Sequence, residues 1–399
     1  MSQQHIAERV REAGVVGAGG AGFPTYVKLQ AKVDTYIVNA AECEPLLCKD
    51  QELMKAHAED MIQGLRFGME ATGANRGVIA VKKKYKEAIG ILQEWGPGDE
   101  VIVPGFGFPS MPNSIALRGA TPVFAGIDPV SMNLDPAAAE RAITPSTRAI
   151  VAMHYGGVAC DMPGLSALAQ AYGIALIEDA AHCIGAKWGG EGLGTLGDYG
   201  ALSFHATKNI HCGEGGALLF RREADLEKFL QIAEKGTDKT RNPRNYQWQT
   251  LGSSYVMSAL NAAFLNVQLQ HAEEVNAQRR ALWDFYYDGL SAYGLAERLQ
   301  LRRPAPGQGF NAHLFFIKCV DSVVRERLLC YLEAQGIQAA PHYAPLSVSP
   351  AGRRYGRAAA GDEGAVEESL RLLRLPLYPQ LQEREAERII EKLAHFFKP

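Results

Sequence analysis

Two apolar runs in the middle of the chain end in polar residues: Ile174-Ala-Leu-Ile-Glu-Asp179-Ala-Ala-His182 and Ala201-Leu-Ser-Phe-His-Ala-Thr-Lys208-Asn209. Each run has the length and composition of a buried strand. Strands that alternate with helical segments indicate an α/β domain with a mainly parallel sheet, where ligands gather beyond the carboxyl ends of the strands. The two runs therefore predict that Asp179 and Lys208 lie at one edge of such a sheet.

Asp179 and Lys208 are the residue types that pyridoxal phosphate requires. A lysine can form a Schiff base with this cofactor when its surroundings lower its pKa. An acid that faces the pyridine nitrogen keeps that nitrogen protonated and makes the ring an electron sink. The spacing alone leaves open the alternative that both residues are ordinary surface charges.

The same alternation extends along the chain on both sides of this pair. Strands are expected at residues 100–103, 122–127, 149–153, 174–177, 199–204 and 217–220, with helices at 136–142 and 165–172. From about Met257 the pattern changes to long amphipathic helices at 257–290, 322–335, 363–373 and 383–396 around one strand at 314–318. This change predicts a second, smaller α+β domain.

The composition excludes several classes of function. Of the 399 residues, 47% are hydrophobic, and 41 Lys and Arg against 44 Asp and Glu leave a formal net charge of −3. A nucleic-acid partner or a polybasic membrane contact needs an electrostatic attraction that this balance does not supply. We therefore expect an enzyme of the cytoplasm with neither partner.

The cysteines and the apolar segments support the same expectation. The seven cysteines are scattered without a Cys-x-x-Cys pair, so free thiols are expected and no metal site. The N-terminus carries charges where a signal peptide needs an apolar stretch. The longest uncharged segment, residues 101–117, is interrupted by Pro104, Pro109 and Pro112, so no membrane insertion is expected.

The N-terminal part contains the glycine run Gly17-Ala-Gly19-Gly20-Ala-Gly22. It matches Gly-x-Gly-x-x-Gly, but a polar helical segment precedes it and Pro24 follows, which is not the strand and helix that a dinucleotide fold requires. Together with Asn39-Ala-Ala-Glu42-Cys-Glu44-Pro45, the run resembles the flavin-binding part of the C subunit of Rnf-type electron-transport complexes. More distantly it resembles the NADH-oxidising flavoprotein subunit of respiratory complex I.

This resemblance implies a set of flavin contacts but not a whole flavin site. The matching positions are Gly17, Gly19, Gly20, Lys28, Asn39 and Glu42. The resemblance covers only residues of about 8–95, and the remaining flavin contacts and iron–sulfur cysteines of that family have no counterpart. FMN binding is therefore not expected, and a remnant or structural role is the alternative.

A second resemblance covers the chain from about residue 96 to its end. The segments that carry it are Pro97-Gly-Asp-Glu-Val-Ile-Val-Pro104, Leu117-Arg-Gly-Ala-Thr-Pro-Val-Phe124, Glu178-Asp-Ala-Ala-His182, Ser203-Phe-His-Ala-Thr-Lys-Asn209 and Gly213-Glu-Gly-Gly216. They resemble, in order, the DegT/DnrJ/EryC1/StrS family of sugar-nucleotide aminotransferases, which have the fold-type-I architecture and use pyridoxal phosphate.

Five further segments resemble one branch of that family. They are His154-Tyr-x-Gly-Val-Ala-Cys160, Gly252-Ser-Ser-Tyr255-x-Met-Ser258, Asn311-Ala-His313, His342-Tyr-x-Pro-Leu346 and Leu373-Arg-Leu-Pro-Leu377. The branch comprises the transaminases that make dTDP-4-amino-4,6-dideoxygalactose for enterobacterial common antigen, a lipopolysaccharide-related pathway. This resemblance implies amino transfer, with glutamate as donor, to a nucleotide-linked 4-keto-6-deoxy sugar.

The family resemblance also implies a role for individual residues. Lys208 would hold the cofactor as a Schiff base and move the proton, while Asp179 would pair with the pyridinium nitrogen. His182 would lie near the phenolic oxygen, Ser203 would bind the phosphate, and Phe108 would stack on the ring. Ser254 stands where many relatives carry an asparagine that reaches a neighbouring subunit. The residues expected to face the sugar are His154, His342 and Tyr343.

One departure from the family concerns the cofactor phosphate. Relatives carry an early helix start of the Ser/Gly-Thr-Ala type that binds this phosphate through backbone N–H groups. That segment is absent, and Gly105, Gly107 and Met111 stand where relatives usually have Ser/Thr-rich sequence. It stays open as an alternative that the glycine run at residues 17–22 binds the cofactor phosphate in place of the missing segment.

The expected organisation has three parts. They are a flavoprotein-like fragment at residues 1–95, a cofactor-binding large domain at 96–256 that lacks its N-terminal element, and a small domain at 257–399. Fold-type-I sites are generally shared between two subunits, so the resemblance implies a homodimer. Two other functions stay open, namely a fragment of an FMN-dependent electron-transfer subunit and a non-catalytic protein that retains the aminotransferase scaffold.

Overall fold

The computed structural model describes residues 35–39, 76–80, 95–305 and 308–398. The chain divides into two compact units, Met1–Tyr85 and Lys86–Pro399. In the first unit, β1 (Thr35–Asn39) and β2 (Arg76–Ala80) pair in parallel. Apolar runs in the sequence predict strands at 35–38 and 77–81, which overlap both. The sequence also predicts helices at 6–13 and around 61–69, and these lie outside the described residues.

The second unit is built on a seven-stranded sheet with the order β10-β9-β6-β5-β3-β4-β13. Its strands are β3 (Glu100–Pro104), β4 (Thr121–Ala125), β5 (Thr147–Met153), β6 (Ala175–Asp179), β9 (Tyr199–Ser203), β10 (Gly216–Phe220) and β13 (Arg357–Ala358). All neighbours are parallel except β10, which is antiparallel to β9. The mainly parallel sheet confirms the predicted fold class.

The helices follow the described chain in the order α1 (Ser110–Ala116), α2 (Pro136–Ala142), α3 (Met162–Tyr172), α4 (Asp225–Ala233), α5 (Ala259–Gln270), α6 (Ala272–Ala292), α7 (Ser322–Ala334), α8 (Pro350–Tyr355), α9 (Asp362–Arg371) and α10 (Glu383–Phe396). Local capping sets several ends. Asp161 accepts a hydrogen bond from the Gly164 amide at the start of α3, and Gly173 ends this helix with a φ of 64°.

Burial on both faces explains why the central residues of the parallel strands are mostly apolar. In β3, Val101 and Val103 belong to one core and Ile102 to another, because successive side chains point to opposite faces of the sheet. The first core continues into the C-terminal part of the chain, where it includes Leu346 and Leu372.

The region after residue 257 differs from the expectation in two places. The predicted helix 257–290 is two helices, α5 and α6, which meet at His271. The predicted helix 363–373 is wrong at its end, because α9 stops at Arg371 and β14 (Leu372–Leu375) follows. β14 pairs antiparallel with β12 (Phe315–Lys318), so this region has two paired strands rather than one.

A second core lies between these two strands and helices α6, α7 and α10. We call this part the small lobe and the part around the seven-stranded sheet the large lobe. Lys318 of β12 is buried and joins the lobes, since its ammonium contacts both the Pro129 carbonyl and Glu368.

Three short strands were not predicted from the sequence and form a separate sheet. β11 (Gln308–Gly309) and β8 (Glu191–Gly192) pair antiparallel with β7 (Lys187–Trp188), which lies between them. A two-residue strand has no periodicity to detect. Across the described parts of both units, no helix is at once long enough and apolar enough to cross a membrane.

Candidate active site

The carboxyl ends of three parallel strands bring the candidate residues together. Asp179 ends β6, with Met153 of β5 on one side and Ala201 of β9 on the other. Its backbone carbonyl accepts the His154 amide at 3.2 Å, and its carboxylate Oδ1 accepts the Ala181 amide at 3.1 Å. The acid is thus held at the sheet edge where the sequence predicts it.

Lys208 follows β9 in a turn that the rest of the unit holds in place. Its amide donates to the His205 carbonyl at 2.9 Å. The next residue, Asn209, donates through Nδ2 to Asn276 Oδ1 and to the Asn311 carbonyl, both at 3.0 Å. These bonds fix the turn from two distant parts of the chain.

The surroundings of Lys208 act on its charge in opposite directions. Burial lowers the pKa of its ammonium, the negative charge of Asp179 raises it, and Arg374 lowers it again. The net result is a pKa below the ordinary value of lysine. Lys208 therefore releases its proton more readily than a lysine in water, which is the property that the sequence argument requires.

His182 is a buried imidazole with a defined tautomer. Its Nδ1 accepts the Gly156 amide at 3.3 Å, so the proton of the neutral ring lies on Nε2, which is 3.1 Å from the Tyr343 hydroxyl. Burial, followed by the charge of Lys208, places the pKa of His182 well below its ordinary value. At neutral pH the ring is an uncharged donor.

His313 and Asn311 complete this part of the site. His313 stacks on His182 with ring centroids 4.1 Å apart, and its Nδ1 lies 3.0 Å from Asn209 Oδ1. Asn311 donates to the His182 carbonyl at 2.7 Å. Gly157, with a φ of 80°, passes so close that any Cβ there would collide with Asn311 Oδ1. The sequence showed both residues within a motif, but we assigned them no role.

Phe108, Tyr155, His342 and Tyr343 lie beside these histidines, and we call this group the aromatic wall. The ring centroid of Tyr343 is 5.4 Å from that of Phe108 and 3.6 Å from that of His342. Tyr155 is fully buried and donates its hydroxyl proton to the His342 carbonyl at 2.6 Å. The structure therefore gathers Phe108, His342 and Tyr343 in one place, as the sequence predicts for a cofactor and sugar site.

His154 lies outside this cluster, although the sequence placed it toward the sugar. Its side chain is buried, with Nε2 2.8 Å from Glu178 Oε2 and Nδ1 accepting the Cys160 amide at 3.1 Å. Protein partners thus occupy both ring nitrogens. Its partner Glu178 was not singled out in the sequence, and it accepts three further bonds from backbone amides.

Ser203 lies near the candidate site, whereas Ser254 lies apart from it. Ser203, the last residue of β9, accepts the His205 amide through Oγ at 3.3 Å and is half-buried near the sheet edge. Ser254 is exposed and forms a backbone bridge with Glu234, so within this chain it is not part of the cluster.

The flavin-type positions are largely beyond the described structure. Asn39 is the last residue of β1. The other positions, Gly17, Gly19, Gly20, Lys28 and Glu42, lie outside the described residues.

The neutral histidines make stability depend on pH. Burial, with the charges of Arg374 and Lys208, lowers the pKa of His342 to about 3, against about 6.5 in an unfolded chain. Its contribution to stability is complete above pH 6.5 and is lost as the pH falls toward 3, because only the unfolded chain then binds the proton. As the pH falls below 6.5, we expect the free energy of unfolding of wild type to decrease more steeply than that of His342→Gln. The difference between the two slopes is expected to be about 1.4 kcal/mol per pH unit.

The measurement is the free energy of unfolding by urea between pH 7 and 4, without added cofactor. His271→Gln is the matched control, since His271 is exposed and pairs with Glu274 at the surface. Parallel losses of stability in wild type and His342→Gln would contradict the prediction.

Comparison with known proteins confirms both resemblances. The DegT/DnrJ/EryC1/StrS aminotransferase family matches residues 86–394, and the Nuo51 FMN-binding domain matches residues 10–98. The pleiotropic regulatory protein of Geobacillus stearothermophilus is 34% identical over 309 residues, which cover 76% of this chain and 80% of that protein.

Two further relatives are described by their chemistry. The UDP-N-acetyl-3-dehydro-α-D-glucosamine 3-aminotransferase of Acidithiobacillus ferrooxidans is 34% identical over 297 residues, covering 74% of this chain and 77% of that protein. The crystal structure of DesV from S. venezuelae, in complex with a ketimine intermediate, is 30% identical. It matches 78% of this chain and 84% of that chain with a TM-score of 0.70.

Proposed function

Because the chain belongs to the DegT/DnrJ/EryC1/StrS aminotransferase family, we propose that it transfers an amino group from glutamate to C4 of a nucleotide-linked 4-keto-6-deoxy sugar. The cofactor of this reaction is pyridoxal phosphate. The observation that carries the proposal is that Lys208, with its lowered pKa, shares one sheet edge with Asp179 and with the uncharged His182.

The residues at this edge fit pyridoxal phosphate. The side chains that would hold it are Lys208, Asp179, His182, Ser203 and Phe108. They comprise an amine that deprotonates readily, a carboxylate, a neutral N–H donor, a hydroxyl and an aromatic ring. When bound, the cofactor supplies an electron sink for the negative charge that develops on the reacting carbon.

The chain's own residues provide the proton transfer. Because burial lowers its pKa, Lys208 gives up a proton more readily than a lysine in water, and its Nζ can serve in turn as general base and general acid. Asp179 supplies the negative charge that stabilises a protonated ring nitrogen. His182 holds a proton on Nε2 without adding charge, because Nδ1 is occupied by the Gly156 amide.

The position of the keto group is the finer part of the proposal. The motifs around Tyr155, Ser254 and Arg374 support a 4-keto sugar, whereas the relative from Acidithiobacillus ferrooxidans is named for a 3-keto substrate. The two sugars present their keto oxygen at different corners of the ring, and hydrogen-bonding sites discriminate such differences by about 10²-fold or more.

The test supplies purified protein with pyridoxal phosphate, glutamate and either a dTDP-4-keto-6-deoxy hexose or the UDP-linked 3-keto sugar. Mass spectrometry then identifies the amino sugar, and the release of 2-oxoglutarate gives the rate. We expect transfer to the 4-keto sugar at a kcat/KM at least about 10²-fold higher. Transfer to the 3-keto sugar alone, or to neither sugar, would overturn the proposal.

We also propose that the protein acts as a homodimer. Helix α5 exposes Leu260, Phe264 and Val267, which recur with the spacing of one helical face, and Leu260 is 80% exposed. The preceding segment exposes Leu251 and Val256 as well. Several large apolar side chains exposed along one stretch of chain are typical of an interface between subunits.

Replacing Leu260 and Phe264 with glutamate is expected to weaken dimerisation at least about 30-fold, since the central apolar residues of an interface carry about 2 kcal/mol or more. Light scattering after gel filtration would show a fall toward the 43.3 kDa of one chain. The control is Val320→Glu with Val323→Glu, which changes two other exposed apolar residues, at 69% and 65% exposure. A wild-type protein that is monomeric, or unchanged masses in both variants, would refute the dimer.

A further inference from the structure

A cavity of about 250 Å³ lies where the small lobe meets the large lobe. Gly156 and Ala159 of the large lobe line one part of it, and Trp283 and Phe316 of the small lobe line another. Protein interiors contain few voids larger than a water molecule, and a cavity of about 150 Å³ is enough to hold benzene. Val130, which is 49% exposed, also lines the cavity. The cavity is therefore open to solvent and has room for a small organic molecule.

The small-lobe side of the cavity is aromatic. The ring centroids of Phe310 and Phe315 each lie 5.2 Å from that of Trp283, at interplanar angles of 76° and 57°. Phe310 and Phe316 are large apolar side chains, yet both are only partly buried. Because the face of one aromatic ring attracts the edge of another, rings at such angles favour a flat aromatic occupant.

The charged side chains that line the cavity are positive. Among its described lining residues two are arginines and none is acidic. Arg303 is neutralised, since its guanidinium contacts Asp284 and Asp288. Arg302 is exposed, and within residues 95–305 and 308–398 no carboxylate forms an ion pair with it. An occupant with a negatively charged group would therefore complement Arg302.

Two residues that line the cavity also contact the candidate active site. The ring centroid of Phe316 is 5.4 Å from that of Tyr155, a member of the aromatic wall. The Gly156 amide donates to His182 Nδ1 at 3.3 Å, and this bond sets the tautomer of that histidine. A molecule that displaces Phe316 or Gly156 thus acts directly on the wall and on His182.

We propose that this cavity binds a second ligand, a planar aromatic molecule with a negatively charged group, and that its binding changes the affinity of the active site for the keto sugar. The ring lies against Trp283 and Phe310, and the charged group binds Arg302. The effect on the keto sugar rests on the proposed aminotransferase function, whereas the binding itself does not. The cavity is then a regulatory site, coupled to the reaction through Phe316 and Gly156.

The test of binding uses the full chain loaded with pyridoxal phosphate and freed of excess cofactor. Calorimetry measures the dissociation constants of indole-3-acetate and of uncharged indole in wild type, Val130→Trp and Arg302→Gln. Val130→Trp places a ring at the mouth of the cavity and is expected to weaken both probes about 10-fold, the strength of an aromatic pair. Arg302→Gln is expected to weaken indole-3-acetate about 3-fold, as for an exposed ion pair, and to leave indole unchanged.

The controls are Val320→Trp and Arg353→Gln. Both residues are exposed and neither lines the cavity, so both variants should bind the two probes as wild type does. Val130 and Arg302 are exposed as well, so their variants are expected to fold.

A kinetic measurement tests the coupling. Saturating indole-3-acetate is expected to change the KM of wild type for the keto sugar about 5-fold or more, as coupled sites do. The concentration that gives half of this effect should be about 10-fold higher in Val130→Trp, in proportion to its weaker binding.

Four outcomes would overturn the proposal. They are no binding of either probe to wild type, equal affinities of both probes in wild type and Val130→Trp, equal affinity of indole-3-acetate in wild type and Arg302→Gln, and an unchanged KM at saturation. Failure of the proposed function is a different result, namely no amino transfer to either keto sugar. The calorimetric comparison decides whether the cavity is a binding site even then.

Discussion

Replacement of Lys208 with alanine is expected to abolish the visible absorbance that pyridoxal phosphate gives the wild-type protein and to lower kcat by about 10⁴-fold. In the proposed reaction Lys208 would combine two tasks, since its Nζ would attach the cofactor and move the proton. Burial lowers the pKa of this ammonium despite the opposing charge of Asp179.

The measurement is the absorbance spectrum of the purified variant with added cofactor, together with the rate of 2-oxoglutarate formation. Lys187→Ala is the matched control, because Lys187 is an exposed lysine of the same lobe and should keep both the spectrum and the rate. A visible band in Lys208→Ala that matches wild type would contradict the assignment. A wild-type protein that stays colourless with pyridoxal phosphate would instead refute catalytic competence.

The second large effect is expected in stability, at a residue that touches no substrate. Glu178 is 0% exposed, and its carboxylate accepts four hydrogen bonds, from His154 at 2.8 Å and from the amides of Gly194, Leu196 and Gly197 at 2.7, 2.6 and 2.6 Å. Leucine at this position would leave these donors buried without a partner. We expect Glu178→Leu to lower the free energy of unfolding by about 3–5 kcal/mol.

Urea unfolding of the variant beside Glu191→Leu measures this loss. Glu191 is an exposed glutamate of β8, so its replacement should change stability by no more than about 0.5 kcal/mol. Equal stabilities of the two variants would show that the four bonds around Glu178 contribute nothing net. Because Glu178 precedes Asp179, the loss is also expected to loosen the acid at the sheet edge.

The main strands could be predicted because their signal is local. Residues 149–153 are apolar over their whole length, as a parallel strand buried on both faces must be. A polar residue at the end of such a run lies at the sheet edge whatever its partners are. For this reason Asp179 and Lys208 could be placed from the sequence before any contact was known.

β14 is a strand that local composition does not predict. Leu372-Leu-Arg-Leu375 continues the apolar pattern of the helix before it, and four residues do not distinguish a period of 3.6 from a period of 2. Its conformation is decided by β12, whose residues 315–318 lie far away in the sequence. The same pairing turns Arg374 toward the large lobe, a direction that the sequence alone does not show.

Asp179 lies at the candidate site as predicted, whereas His154 does not. In both cases the alternation of side chains along a strand decides the placement. Successive residues of a strand point to opposite faces, so Asp179 and its neighbour Glu178 turn in different directions. Glu178 points into the interior, where it binds His154 Nε2. The Cys160 amide donates to the other ring nitrogen of His154. A sequence shows that a histidine ends a strand but not which face it takes.

The sequence by itself determined the mainly parallel sheet, the position of Asp179 and Lys208 at its edge, and the two family resemblances, because these depend on local composition and on motifs in order. Only the tertiary structure decided which histidines are neutral, which side chains form the wall and which cation faces the site. Those properties depend on burial and on partners far apart in the chain, such as Asn311 with His182 and Arg374 with Phe316. Desolvation and charge at these contacts set the pKa of each group, and neither is present in an extended chain.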